Sequence, residues 1–241
     1  MQKIPRISAI TDPEMKRIVE GAYARPHLHD TSPLRVLVLG HSFIRRTVKF
    51  IDSNKSRYEN FNLRYSEAQV SFLGEGGATI ASMLGKLTTE EVDIVDIVRP
   101  ELVIIQLGTK ELSWHRVRPD TLGEEMKLLV AELLDRRVKR VVICKTIKRG
   151  KKGMPINMPH FNGRVTIYNQ WIRNNLTQDP RVQVWNHRGF QMNIEKHVIR
   201  DGVHMNNYGQ LKIYRSYKGA ILYYLAVLRS SLQVSHVQQS L

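Results

Sequence analysis

The segment Arg35-Val36-Leu37-Val38-Leu39-Gly40-His41-Ser42 decides the fold. Its first five residues are nearly all apolar and stop at a glycine. That is the pattern of a short strand buried on both faces of a parallel sheet; a strand with one wet face would alternate apolar and polar residues. A helix follows from Phe43 to Ile51, so Ser42 stands at a strand-to-helix turn. The same unit recurs along the chain. Ala68 to Leu73 runs into the glycine cluster Gly74-Glu75-Gly76-Gly77, with a helix from about Thr79, and Leu102-Val103-Ile104-Ile105-Gln106-Leu107 closes at Gly108. From Pro119, Leu122, Met126, Leu129, Val130, Leu133 and Leu134 fall at helical spacing. Arg140 to Cys144 is a fourth strand, and Lys145 to Pro159 is a basic loop before a helix over Val165 to Leu176. Val182 to Trp185 is a fifth strand, and Ile213, Tyr217, Ala220, Ile221, Tyr224, Leu225 and Leu228 stripe a last helix. Strands alternating with helices of this length predict an α/β domain, a five-stranded parallel sheet with helices on both faces.

With 241 residues, the chain divides into a polar lead (1–33), one domain (34–229) and a short tail (230–241) expected to fray. No apolar run approaches the ~20 residues of a membrane span, and the start has no apolar core of a secretory signal. A cytoplasmic protein is the expectation. The single cysteine, Cys144, excludes internal disulfides and lies in an apolar run, as a buried thiol would. His27 and His29 beside Asp30 read as a solvated lead and not as metal ligands, and no metal or cofactor is expected. The Gly74-x-Gly76-Gly77 cluster lacks the third glycine of a dinucleotide loop.

The polar residues that follow the strands carry the chemistry. Gly40-His41-Ser42, Gly76-Gly77, Gly108-Thr109-Lys110-Glu111 and Asp201-Gly202-Val203-His204 should share the carboxyl rim of the sheet, where ligands bind in this architecture. Free N–H groups at the start of a helix favour developing negative charge beside Ser42. A serine hydroxyl is inert until a base takes its proton and a further group holds that base in the right tautomer. Asp201 and His204, three residues apart on a tight turn, can supply both.

These blocks resemble those of the SGNH, or GDSL-type, hydrolases over about Leu34 to Leu228. The resemblance implies a flavodoxin-like α/β/α sandwich and a metal-free serine esterase acting on a small acyl ester, with Ser42, His204 and Asp201 as its triad. It implies an oxyanion hole from the N–H groups of Ser42 and Gly77, with Gly76 the alternative for the second, and from the position of Lys110. Two blocks depart from the family pattern: His41 replaces an aspartate outside the triad, and Lys110 stands where the family has a donor asparagine. An ammonium could donate instead, swing away, or pair with Glu111. As a long hydrated cation that is costly to order, Lys110 is expected to limit turnover, so that Lys110→Asn raises kcat.

Charge adds a second theme. The 37 Lys and Arg exceed the 22 Asp and Glu, a formal +15, and Arg136 to Lys152 holds nine cations and no acid. Such a balance speaks to partners, not to fold. Lys145, Lys148, Arg149, Lys151 and Lys152, on the rim after the fourth strand, are therefore candidate contacts for nucleic acid or another polyanion. Some SGNH-like domains bind RNA without hydrolysis, and others occur in retroelement-encoded proteins that handle RNA; the Gly40-His41-Ser42 block resembles that second set.

Overall fold

Strands β1 (Leu34–Gly40), β2 (Ala68–Gly74), β3 (Leu102–Gln106), β4 (Arg140–Cys144) and β5 (Val182–Trp185) pair in parallel in the order β2-β1-β3-β4-β5. The computed structural model describes residues 32–89, 94–150, 158–190 and 193–238. The pleat of the central strands explains their unbroken apolar runs. Leu37, Leu39, Val103, Ile105, Val141 and Ile143 point into one core layer, and Val36, Val38, Leu102, Ile104, Val142 and Cys144 into the other. Helices α3 (Ile80–Thr89), α4 (Ile94–Val98), α5 (Pro119–Asp135) and α6 (Met158–Leu176) cover the first layer. Helices α1 (Ser42–Asp52) and α7 (Asn207–Gln238) cover the second, and a short helix α2 (Lys55–Tyr58) links α1 towards β2. Cys144 is buried, and burial pushes its thiol up, away from reactivity.

The chain leaves β1 for β2 on one side and returns to β3 on the other, so β1 and β3 flank the point where strand order reverses. In open α/β sheets this point, beyond the carboxyl ends of the strands, is where ligands bind. The two backbones touch at this point. A Cβ on Gly40 would lie 2.2 Å from the carbonyl oxygen of Gln106, so glycine is required by close approach.

Two element ends differ from the sequence reading. Helix α6 starts at Met158, not near Val165, and the residue read as loop punctuation, Pro159, sits in its first turn, where the missing N–H costs nothing. Helix α7 does not stop near Leu228 but continues to Gln238, so most of the expected frayed tail is helical. No described helix is long and apolar enough to cross a membrane. The lead, including His27, His29 and Asp30, lies outside the described residues apart from its last two positions.

Candidate active site

At the end of β1 the backbone of His41 is extended, and its Nδ1 accepts the Phe43 N–H at 3.3 Å, capping α1. Ser42 is thus the first residue of the helix, half-buried, with its hydroxyl released from capping duty. His41 is buried, and burial, with the nearby charges of His204 and Arg149, pushes its pKa down to about 3. The ring is neutral, and with Nδ1 accepting, its proton is on Nε2.

Opposite Ser42 lies the turn that an antiparallel bridge (Val198 with Met205) closes just before α7. The Asp201 carboxylate holds this turn together. Its Oδ1 accepts the N–H groups of Val203 and His204, each at 2.8 Å. Its Oδ2 accepts from His204 Nδ1 at 2.6 Å, and His204 Nε2 lies 3.3 Å from Ser42 Oγ. The three-residue spacing therefore works through a local turn in which one carboxylate fixes both the backbone and the ring. Partial burial would raise the Asp201 pKa, but the bonds from the His204 ring and from the two N–H groups outweigh it and hold the group below the usual carboxylate range. The side chains of His204 and Asp201 remain 28% and 39% exposed, so the relay opens to solvent.

The glycine-rich turn after β2 and the turn after β3 meet beside Ser42's strand. Gly77 has φ +77°, a left-handed conformation that favours glycine. Lys110 Nζ donates to the Gly77 carbonyl at 2.8 Å and stands 5.4 Å from the centroid of the Trp114 ring. The lysine is thus directed at the glycine turn and the Trp114 ring, not at Glu111. Glu111 goes elsewhere: it is buried, and its Oε1 accepts the N–H of Ile80, the first residue of α3, at 2.6 Å. Gly76, the alternative glycine, faces a different side chain, since a Cβ there would meet the Arg45 guanidinium at 2.8 Å.

Burial raises the pKa of Glu111 above 4.5, its ordinary value, against the opposing bonds from Ile80 and its own N–H. An acid raised in the folded state lends stability that is full below its unfolded value and is lost as pH rises through the folded value. Glu111→Gln keeps an oxygen for the Ile80 N–H and removes the buried charge. The variant is expected to resist urea better than wild type at pH 7 and to lose the decline in stability that wild type shows above pH 4.5. Equal urea midpoints across that range would contradict it.

The basic candidates among the described residues do not form one surface. Arg149 departs from the expected solvent-facing patch: it is buried, its Nη2 donates to the Thr109 carbonyl at 3.1 Å, and its guanidinium carbon lies 4.0 Å from the centroid of the Phe161 ring. A planar guanidinium can satisfy a carbonyl at its edge while stacking its face, which draws it inward. Burial lowers its pKa to about 10, with Asp201 acting the other way. Lys145 and Lys148 line a cleft beyond β4, and Lys151 and Lys152 lie outside the described residues.

Sequence reasoning missed a buried polar chain beneath the rim. The Trp185 indole N–H donates to Ser216 Oγ at 3.0 Å, and Ser216 Oγ lies 2.8 Å from His187 Nδ1. His187 Nε2 meets Gln106 Oε1 at 2.6 Å, and the Tyr217 hydroxyl donates to the same oxygen at 3.3 Å. Burial pushes His187 to about 3, so the ring is neutral, accepting from Ser216 and donating to Gln106. The signal was one polar residue, Gln106, at the end of an otherwise apolar strand.

A five-stranded parallel sheet in this order, with helices on both faces, is the α/β/α sandwich of the SGNH hydrolases. The chain's structural neighbours are GDSL-like lipases and acylhydrolases. A GDSL-like lipase from Bacteroides thetaiotaomicron superposes with a TM-score of 0.61 at 16% identity, covering 87% of this chain and 98% of the lipase. A lipase/acylhydrolase from Enterococcus faecalis gives 0.54 at 18% identity over 78% and 97% of the two chains. A catalytic mutant of an acetylxylan esterase from Geobacillus stearothermophilus gives 0.57 at 13% identity over 80% and 96%. At these identities the likeness establishes the fold. No family model and no curated protein matches the chain.

Proposed function

We propose that the protein is a serine acyl hydrolase that cleaves small carboxylic esters through Ser42, His204 and Asp201. One observation carries the reading: the continuous relay from Asp201 Oδ2 through His204 to Ser42 Oγ, with contacts of 2.6 and 3.3 Å, at the carboxyl rim of the sheet. The longer contact is of the kind that tightens when substrate binds. Ser42 Oγ attacks the ester carbonyl carbon while His204 Nε2 takes the hydroxyl proton, and Asp201 stabilises the imidazolium. The tetrahedral oxyanion is met by the Ser42 N–H, which as the first of its helix has no intrahelical acceptor, by the Gly77 N–H and by Lys110. Collapse expels the alcohol, protonated by His204, and leaves an acyl group on Ser42. Water, deprotonated by His204, then attacks that acyl group and releases the carboxylic acid and free Ser42. Every step uses groups of this chain. A small acyl group is supported by the acetylxylan esterase among the neighbours.

A fluorophosphonate probe tests the reading, because it reacts only with an activated serine. It is expected to label wild type at Ser42 alone; failure to label, with no turnover of an activated acetyl ester, would overturn the proposal.

We read Lys110 as a donor to the oxyanion, against the expectation drawn from sequence that it limits turnover. Its ammonium is already held by the Gly77 carbonyl in the free protein, so the ordering cost is met before substrate arrives, and two of its three protons remain for the oxyanion. Lys110→Met is therefore expected to lower kcat about 10²-fold, with KM little changed. The measurement uses a neutral ester at low and high salt, which removes steering as a cause. A rise in kcat would restore Lys110 as an impediment.

A further inference from the structure

Beyond the carboxyl ends of β4 and β5 lies a second cleft, of about 300 Å³, whose lining includes none of the three relay residues. Its walls come from Lys145 to Lys148 after β4, from Asn186, His187 and Phe190 after β5, and from Thr166, Asn169 and Gln170 on α6. The walls are braced. Asn169 makes two 2.9 Å bonds to the backbone of Thr146, the Lys145 N–H donates to the Trp185 carbonyl at 2.9 Å, and His187 is fixed between Ser216 and Gln106.

The charge of this cleft is one-sided. Its lining holds two lysines and no carboxylate, and among the described residues neither ammonium forms an ion pair. Lys145 is half-buried, and burial, with the charge of Arg173, lowers its pKa. A partly desolvated cation beside other cations is costly alone, and an anion between them relieves the cost. Ammonium groups are point charges suited to the several oxygens of a phosphate, and hydroxyl and amide groups such as those of Thr166 and Gln170 serve a polar body attached to it. The volume stands at the small end of ligand pockets.

We propose that this cleft binds the phosphate of a small phosphomonoester. A cleft of this size walled by two lysines fits this better than a polynucleotide track, because Arg149, the next cation along, turns away to the Thr109 carbonyl. The site stands apart from the esterase reading, and Ser42→Ala is expected to leave it intact.

Calorimetric titration with glucose 6-phosphate, inorganic phosphate and glucose tests it, with NMR shifts followed at the amides of Thr146 and His187. Glucose 6-phosphate and phosphate are expected to bind saturably, one per chain, and glucose not at all. Lys145→Gln and Lys148→Gln should each weaken binding about tenfold or more, as loss of a charged hydrogen bond does, whereas Lys127→Gln on the exposed face of α5 should leave it unchanged. Absence of saturable binding, or equal weakening by Lys127→Gln, overturns the proposal. So does a short RNA that binds more tightly than glucose 6-phosphate through the same two lysines.

Discussion

Ser42→Ala is expected to lower kcat on an activated acetyl ester by about 10⁴- to 10⁶-fold, to the background left by substrate binding alone. The variant reads chemistry cleanly because Ser42 has little structural duty. The helix cap is supplied by His41, whose Nδ1 takes the Phe43 N–H, and the Ser42 hydroxyl is engaged by His204. Removing Oγ therefore leaves the cap, the turn and the packing of Phe43 and Ile44 in place, and the urea midpoint should be close to that of wild type. His204→Ala should cost about as much, and the double variant hardly more than either single one, since the two groups act as a unit. Turnover in Ser42→Ala near the wild-type level would mean that another group performs the attack.

The residues of this relay were legible in sequence for a local reason. Ser42 follows its strand by two residues, and Asp201 and His204 are joined within one turn, so apolar runs and short spacings suffice to place them. The bounds of β4 and β5 were legible likewise, as short apolar runs. What escaped depends on partners far along the chain. Arg149 sits in a run of cations that reads as a solvated face, yet its direction is set by Thr109, forty residues earlier, and by Phe161. Gln106 lies in the plainest apolar strand, and its reason for being polar, the contacts with His187 and Tyr217, arrives 81 and 111 residues later. Lys110 was legible as a departure from the family pattern but not in its placement, because its acceptor is the backbone of Gly77 in another loop. Local chemistry shows in a sequence; the direction of a long side chain does not.

Asp201→Asn is expected to lower kcat about 10⁴-fold while changing one atom, and the reason lies in how the carboxylate is divided. Oδ1 already accepts two N–H groups, from Val203 and His204. An asparagine must keep its carbonyl oxygen there, since an amide nitrogen would face two donors. The NH₂ is then left where Oδ2 had been, opposite His204 Nδ1. A donor in that place requires Nδ1 to be bare, which moves the ring proton to Nε2 and points it at Ser42 Oγ. The ring can no longer accept the serine proton, although its position is unchanged. The acid side of stability should change as well. The folded Asp201 carboxyl lies below its ordinary range, so the stability it lends is present above its unfolded value and is lost as pH falls through the folded value. Asp201→Asn should remove that part of the acid-induced decline, the opposite of the Glu111 effect, which appears as pH rises. Urea midpoints from pH 7 down to about pH 3 follow it across the range where a carboxylate titrates. If Asp201→Asn keeps kcat within about tenfold of wild type, His204 is not held in its tautomer by Asp201, and the relay does not operate as drawn from its geometry.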